Sequence, residues 1–314
     1  ELLERSLHSL LKYVQEDDTL DLELRGNYIS IYYRGAPLMT IEETDEKDDN
    51  GKNIYKGSSL NSQYNDSNIL IPTLSKDNIE SYIPICKHII DRHIVCAQNN
   101  ILGEREIEQL VVKENNYSPN SNDTDFFIVD MEYKDTEGEF DLVALKWEAS
   151  PQSRKSNCTS IAVIEVKQGN KSVLTTAKTP GLKQHQSDFN KLYINEERKK
   201  SFMDDMLAVF KQKCELGLIK GNPKIENLKE DSELVLVGDL DFICLLANYK
   251  TASDNLKNEL AEMEDCRFFT SSFMGYGLYA NNIINKEEIL KTLWQNIKIK
   301  RENGNLNAIT TVFS

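Results

Sequence analysis

The sequence predicts an α/β protein whose core has the order α-β-β-β-α-β, preceded by an N-terminal helix and an antiparallel β-meander. Two observations lead to this prediction. From about residue 100 onward, segments of helical periodicity alternate with short apolar runs of strand composition. Before that region, three short strand-like runs follow one another with turn signals between them. The two patterns predict two structural units in one chain.

The first unit begins with a helix and continues as the meander. Residues 1–19 carry Leu and Val at helical spacing, which indicates an amphipathic helix. The runs LDLELR, YISIYYR and PLMTIEE follow, separated by GN and GA, and GN favours a hairpin. The stretch 45–67 is polar and rich in Gly, Asn, Asp and Ser, which predicts a loop or a linker. We therefore assign residues 1–77 to an N-terminal module.

Residues 78–314 are predicted to form the second domain, with its core at about 101–248. Helical segments over 78–98 and from Gly103 come first. The strand candidates FFIVDMEYK, EFDLVALKW and IAVIEVKQG follow, then a long helical region over about 182–216 and the β-rich run ELVLVGDLDFICLLAN. Another strand-like run and a helix over about 286–300 complete a C-terminal extension.

The composition is that of a globular protein without a membrane span. The chain has 314 residues, 39% of them hydrophobic, and no run reaches the roughly 18 apolar residues that a transmembrane helix needs. Six scattered cysteines without CxxC pairs fit reduced thiols, so we expect a cytoplasmic protein. A net charge of -14 argues against a uniformly basic surface. Residues 151–224 nevertheless hold 14 Lys and Arg against 7 Asp and Glu, so a polyanion site is expected in the middle third.

Charged residues in the apolar run IAVIEVKQG mark the candidate site. In a strand, Glu165 and Lys167 point to the same face, and a buried strand does not carry two charges without a partner or a function. The preceding strand offers Asp141, and the helix from Gly103 offers Glu104. Carboxylates that converge in this way favour a cation, and hard oxygen ligands suit Mg²⁺. Lys167 would then hold or deprotonate an attacking water, or neutralise charge on a phosphate.

An acid on the second strand and E-x-K on the third resemble the PD-(D/E)xK nuclease superfamily. Asp141, Glu165 and Lys167 match the motif, and Glu104 matches the helix acid that many members add. Phe140 stands where the name of the motif has Pro, and 24 residues separate Asp141 from Glu165 because of a polar insert.

This resemblance implies a restriction-endonuclease-like core with a mixed central sheet flanked by helices. It also implies metal-dependent phosphodiester hydrolysis on nucleic acid, with DNA as the expected substrate of an endonuclease. Asp141, Glu165 and Glu104 would bind Mg²⁺, for which Mn²⁺ could substitute, and Lys167 would assist attack by water.

Basic residues near the motif are candidate nucleic-acid contacts. The first set is Lys171, Lys178, Lys183 and His185, and the second is Lys191, Arg198, Lys199 and Lys200. We expect the lysines of the first set, Lys191 and some of the other three residues of the second set to border one cleft at the Asp141/Glu165 site. Glu132 and Gln186 could reach the same place, but packing or surface roles are expected for both.

Other interpretations also remain open at this point. The core could be a degenerate nuclease-like fold that binds nucleic acid or protein without catalysis, or a metal enzyme acting on another phosphate ester. The N-terminal module could bind a partner protein or form a homo-oligomer. The segment with Cys86, His88, His93 and Cys96 has the residue types of a zinc site, but its spacing favours ordinary helix packing.

Overall fold

A computed structural model describes residues 7–47, 53–58, 79–96, 103–117, 121, 123–134, 138–150, 153–169, 172–176, 180–219, 233–272 and 275–312. Within these residues the protein is a mixed α/β structure with seven α-helices and two main sheets. None of the described helices is long and apolar enough to cross a membrane.

The N-terminal unit is a four-stranded antiparallel sheet packed on two helices. Its elements are α1 (His8–Glu16), β1 (Leu20–Arg25), β2 (Tyr28–Tyr33), β3 (Ala36–Lys47), β4 (Asn53–Ser58) and α2 (Ile79–Cys96). The strands pair in chain order, as the meander predicts. Apolar side chains of α1, the sheet and α2 share one core, so α2 packs with this unit. The predicted domain boundary after residue 77 would instead place α2 in the second domain. That boundary stays a prediction.

The second sheet is mixed and carries the predicted α-β-β-β-α-β order. Its principal elements are α3 (Glu104–Asn116), β5 (Phe126–Lys134), β6 (Glu139–Lys146), the small pair β7 (Ala149–Ser150) and β8 (Ser153–Arg154), β9 (Cys158–Gln168), α4 (Leu182–Ile194), α5 (Glu196–Glu215), β10 (Val235–Leu236) and β11 (Asp241–Ala247). The chain continues with α6 (Asp254–Glu262), β12 (Arg267–Ser271), β13 (Ile284–Asn285) and α7 (Lys286–Val312). The predicted helical region over 182–216 is divided at Asn195, whose side chain caps α5 by accepting from the backbone N–H of Arg198.

Strand β9 lies in the middle of this sheet. The order is β13-β12-β11-β9-β6-β5; β9 is antiparallel to β6 and parallel to β11, while β10 pairs with the start of β9. One sheet face packs on α3 and the other on α4 and α5, and each face has its own apolar core. A strand buried on both faces is usually apolar along nearly its whole length. Glu165 and Lys167 are therefore exceptions that lie near the end of β9.

The two units are joined through a charged face of β1. Leucines at alternate positions of β1 point into the N-terminal core, so the charged residues between them point to the second unit. The pairs are Asp21 with Lys113 of α3 at 3.1 Å, Glu23 with Lys213 of α5 at 2.5 Å, and Arg25 with Asp130 of β5 at 2.9 Å. We call these six residues the charged seam. It spans three different elements of the second unit.

The turn between β2 and β3 also contacts α3. Gly35 has φ +72°, and a Cβ at this position would overlap the backbone of Arg105. Its N–H donates to Oε1 of Gln109 at 2.5 Å, and the neighbouring Arg34 pairs with Glu106 at 2.8 Å. The N-terminal unit therefore contacts the first turns of α3 through backbone and side chains.

Candidate functional site

An open cavity of about 650 Å³ lies where the start of α3 meets the ends of β5, β6 and β9 and the start of α4. Polar and apolar surface contribute about equally to its walls, and five of the lining residues are acidic. The lining residues that matter below are Glu104, Arg105, Glu108, Glu132, Lys134, Glu139, Asp141, Lys167 and His185. Five elements thus supply ionisable side chains to one place.

Lys167 is at the centre of the predicted constellation. Its Nζ lies 2.6 Å from Oε1 of Glu165, 3.0 Å from Oε1 of Glu104 and 3.7 Å from Oδ2 of Asp141. It also donates to the carbonyl of Val166 at 3.0 Å. The four residues that the sequence brings forward as catalytic candidates are therefore together, as the shared face of β9 predicts.

Strand register explains why Asp141 meets Glu165. Leu142 of β6 is opposite Ile164 of β9, so the next residues along the two strands come together at the end of the ladder. Oδ2 of Asp141 accepts from the backbone N–H of Val166 at 2.8 Å, which fixes the carboxylate on β9. Glu104 is fixed similarly, because its Oε2 accepts from the N–H of Gln168 at 3.1 Å.

The carboxylates keep Lys167 in its charged form. Burial by itself lowers the pKa of Lys167, but the charges of Glu165, Asp141 and Glu104 more than reverse this and raise it. Burial raises the pKa of Glu165, and the nearby charge of Asp141 adds to the rise, whereas Lys167 opposes it. An ammonium surrounded by carboxylates is poorly suited to accept a proton and well suited to stabilise negative charge.

Glu165 lies beneath the cavity surface. Its side chain is fully buried, and its Oε1 contacts both Lys167 and Nε2 of His185, the latter at 3.1 Å. Its Oε2 has no hydrogen-bond partner. A buried carboxylate oxygen without a partner is costly, so this atom needs a proton or a cation to compensate it.

His185 lies on α4 and is held against Glu165. Burial lowers the pKa of His185, and the charge of Lys167 lowers it further, which favours a neutral imidazole beside Glu165. The sequence predicts His185 as a nucleic-acid contact. The structure places it at the cavity wall, in contact with Glu165.

Two further acids line the cavity. Glu108 is one helical turn from Glu104 on α3, so both carboxylates are on the same helix face. Glu132 on β5 has φ +59°, and its Oε1 lies 2.6 Å from Nε of Arg105. Glu108 was not singled out from the sequence, although the i,i+4 spacing was the available signal, and Glu132 was expected to be a packing or surface residue.

The predicted basic cleft is not formed by the described lysines. Lys171 and Lys178 lie outside the described residues. Lys183 is exposed, pairs with Glu262 of α6 at 2.7 Å and does not line the cavity. The second set is engaged likewise, in the pairs Lys191–Asp188, Lys199–Asp239 and Lys200–Asp204. Gln186 bonds the backbone of Glu264 and serves packing, as expected.

The zinc-like residue set is not assembled on α2. Cys86 is buried against Tyr82 in the N-terminal core, whereas His88 and His93 are exposed. The side chain of Cys96 lies outside the described residues. Cys86 therefore serves helix packing, as the spacing predicts.

The donor set can be tested for its fit to Mg²⁺. In the described part of the chain, no three His, Cys, Asp or Glu side chains already form a group that could hold a metal ion. Mg²⁺ in phosphate-processing sites commonly uses one or two carboxylates, with water and substrate as the other ligands. Asp141 and Glu165 are within hydrogen-bonding reach of each other, and Glu165 retains an unpartnered oxygen. The pair fits such a water-rich site.

Comparisons of this chain with protein-family models, with curated proteins and with solved structures found no match.

Proposed function

We propose that the protein is a metal-dependent nuclease that hydrolyses phosphodiester bonds, with DNA as its expected substrate. The observation that carries the proposal is the charge balance around Lys167. Three carboxyl groups, from Glu104, Asp141 and Glu165, surround one ammonium beside an open cavity, so acids outnumber the cation at this place. A divalent cation at the cavity would compensate the excess of acids.

Each residue then has a distinct role. Asp141 and Glu165 would hold Mg²⁺, or Mn²⁺ in its place, and Glu104 would hold Lys167 and the end of β9 in position. The bound cation would polarise a phosphoryl oxygen and favour ionisation of a water. Lys167 would stabilise the negative charge that develops on the phosphate, since its raised pKa favours this role over proton abstraction.

The finer fold assignment is part of the same proposal. The α-β-β-β-α-β order and the acid, E-x-K pattern on adjacent strands support a restriction-endonuclease-like core. Active-site residues at the ends of neighbouring strands fit a cleft at one sheet edge. The assignment rests on the match of Asp141, Glu165 and Lys167 to the motif.

A supercoiled-plasmid nicking assay tests the proposal. The wild type should nick DNA with Mg²⁺ or Mn²⁺ and not with EDTA, and Asp141→Asn should lower the rate by roughly 10²-fold or more because it removes a metal ligand. Glu139→Gln is the matched control: it also removes one carboxylate charge at the cavity, but from an exposed side chain on the rim. Equal activity of Asp141→Asn and the control would contradict the proposal.

A non-catalytic binding module is the second candidate. The observation in its favour is that the described lysines near the motif are paired with acids rather than directed to the cavity. In that case the wild type would bind DNA or a protein without nicking, and metal would change neither property. DNA retention in EDTA together with no cleavage in Mn²⁺ would select this function.

A further inference from the structure

The exposed face of α7 carries a tryptophan between two lysines. Lys291, Trp294 and Lys298 are all exposed, and their spacing of three and four residues places them on one side of the helix. The side that faces the protein packs in the core with α6 through Ile289 and Leu293. The folded chain therefore leaves a mixed aromatic and basic helix face uncovered.

Trp294 is held in position but not covered. Nζ of Lys257 on α6 lies 3.8 Å from the centroid of the Trp294 ring, which is a cation–π contact. The residue is nevertheless 57% exposed. It lines an open groove of about 390 Å³ together with Gln295, Ile297, Lys298, Arg301 and Glu302. A large aromatic surface is thus fixed from one side and open to a ligand.

The segment 289–301 is basic within an acidic chain. Its charged residues are Lys291, Lys298, Lys300 and Arg301. They give the segment a formal charge of +4, whereas the whole chain has -14. Arg301 pairs with Asp254 at 3.2 Å, but in the described part of the chain Lys257 and the three lysines of the segment have no salt bridge. The lysines near the motif are instead paired with acids. The uncompensated positive charge of α7 suits an anionic partner.

The composition of this face favours a nucleic acid over a membrane surface. A helix that lies on a membrane needs a broad apolar face, but the exposed Ile299 lies about 140° around the helix from Trp294. One aromatic ring flanked by cations can stack on a base while the cations contact phosphates. Stacking on an exposed ring needs an unpaired base, so a single strand is favoured over a duplex.

We propose that this face of α7, with Lys257 of α6, binds single-stranded nucleic acid. Trp294 would stack on one base, and Lys291, Lys298 and Arg301 would contact the neighbouring phosphates. The groove shares no lining residue with the cavity at Lys167. The choice of nucleic acid rests on the proposed function, but binding at α7 needs neither the metal nor the acids of the cavity. This surface would supply the basic contacts that the described lysines near the motif do not.

Fluorescence anisotropy with a labelled oligo-dT strand of about 15 nucleotides tests the proposal. The whole chain is titrated in EDTA, which prevents metal-dependent cleavage, at several salt concentrations. Trp294→Ala should weaken binding roughly 5- to 100-fold, and Trp294→Phe much less, because it keeps a ring. The double variant Lys291→Gln, Lys298→Gln should make the slope of log affinity against log salt shallower by about 1.4, which is about 0.7 for each lost phosphate contact. Lys200→Gln removes an exposed charge from α5 and should bind like the wild type.

Tryptophan fluorescence gives a second readout. The chain has two tryptophans, and Trp147 is buried, so quenching by the oligonucleotide reports contact with Trp294. Circular dichroism confirms the fold of each variant, and the double lysine variant tests the same face even if Trp294→Ala does not fold.

The outcomes separate this proposal from the nuclease function. Unchanged affinity of Trp294→Ala overturns the α7 site, and so does an equal loss of affinity for a single strand and a duplex, because stacking then contributes nothing. Binding to phosphatidylserine vesicles but not to the oligonucleotide would identify a membrane surface and would also overturn it. If the oligonucleotide binds through Trp294 but the wild type does not nick plasmid with Mn²⁺, the α7 site stands and the nuclease function fails.

Discussion

Replacing Lys167 by methionine should destabilise the metal-free protein and increase its stabilisation by metal. Lys167 is 4% exposed and Glu165 is fully buried, with 2.6 Å between Nζ and Oε1. Removing one partner of such a pair costs about 3–5 kcal/mol, because the other charge stays buried without compensation. For a chain of this size the cost corresponds to a fall in melting temperature of roughly 5–15 °C in EDTA.

The gain in metal affinity follows from the same geometry. An ammonium and a divalent cation about 4 Å apart repel by about 2 kcal/mol even at the dielectric constant of water. Lys167→Met removes that repulsion, so Mn²⁺ should bind about 30-fold more tightly. At a Mn²⁺ concentration well above the dissociation constants of the wild type and of the variant, Mn²⁺ should raise the free energy of unfolding of the variant by about 2 kcal/mol more than that of the wild type.

Thermal unfolding in EDTA and in Mn²⁺ measures both effects on one sample. Lys134→Met is the matched control, because Lys134 lines the same cavity but is 65% exposed, and loss of its pair with Glu139 costs at most about 1 kcal/mol. If Mn²⁺ stabilises Lys167→Met no more than it stabilises the wild type, the carboxylates do not bind a cation. Lys167 and its partners would then be a structural ion-pair cluster.

Three further predictions concern other residues. Glu165→Gln removes a metal ligand, so it should lower the rate of plasmid nicking by roughly 10²-fold. It also removes a negative charge that repels phosphate, so DNA affinity measured by fluorescence anisotropy should hold or rise. Weaker DNA binding would contradict this prediction. Burial raises the pKa of Glu23 to about 8 although Lys213 opposes the rise, so Glu23 keeps a proton in the folded protein that the unfolded chain releases near pH 4.5. The contribution of Glu23 to stability should therefore fall as pH rises from about 4.5 to 8. Glu23→Gln should flatten that slope in urea unfolding at several pH values, and an unchanged slope would refute the assignment. Gly35→Ala should lower the free energy of unfolding in urea by roughly 2–4 kcal/mol and weaken Mn²⁺ binding, because the new Cβ displaces the start of α3. Gly26 has open space around it, so Gly26→Ala should lower the free energy of unfolding by only about 1–2 kcal/mol and leave Mn²⁺ binding intact.

Local patterns predict much of this fold. The strands FFIVDMEYK and EFDLVALKW are found at β5 and in β6, because alternating or continuous apolar runs leave few other ways to bury their side chains. The side of β9 that carries Glu165 and Lys167 follows from the two-residue period alone. Their meeting with Asp141 and Glu104 depends on sheet register and on the direction of α3, which the sequence does not specify without the resemblance.

Other features depend on contacts between distant segments. From the sequence, Glu108 cannot be told apart from an acid on an exposed helix face. Its position in the cavity depends on β5 and β6, which are distant from α3 in the sequence. The lysines expected to face DNA are instead near acids of α6 and of their own helices, and a local count of charges cannot show this pairing. The place of α2 in the N-terminal core likewise depends on tertiary contacts. The sequence shows that α2 has an apolar face but not which of the two units that face packs against.

The charged seam has a consequence for how the protein can be divided. A fragment beginning at residue 78 would lose Asp21, Glu23 and Arg25, and would leave Lys113, Lys213 and Asp130 without their partners. Water could hydrate those groups, but the second sheet and the first turns of α3 would lose their contacts with the N-terminal unit. Proteolysis within the polar stretch 45–67 is a different matter, because both pieces of the chain would retain every contact of the seam. The two units should then stay together as a nicked complex in gel filtration, and separate only when the protein unfolds.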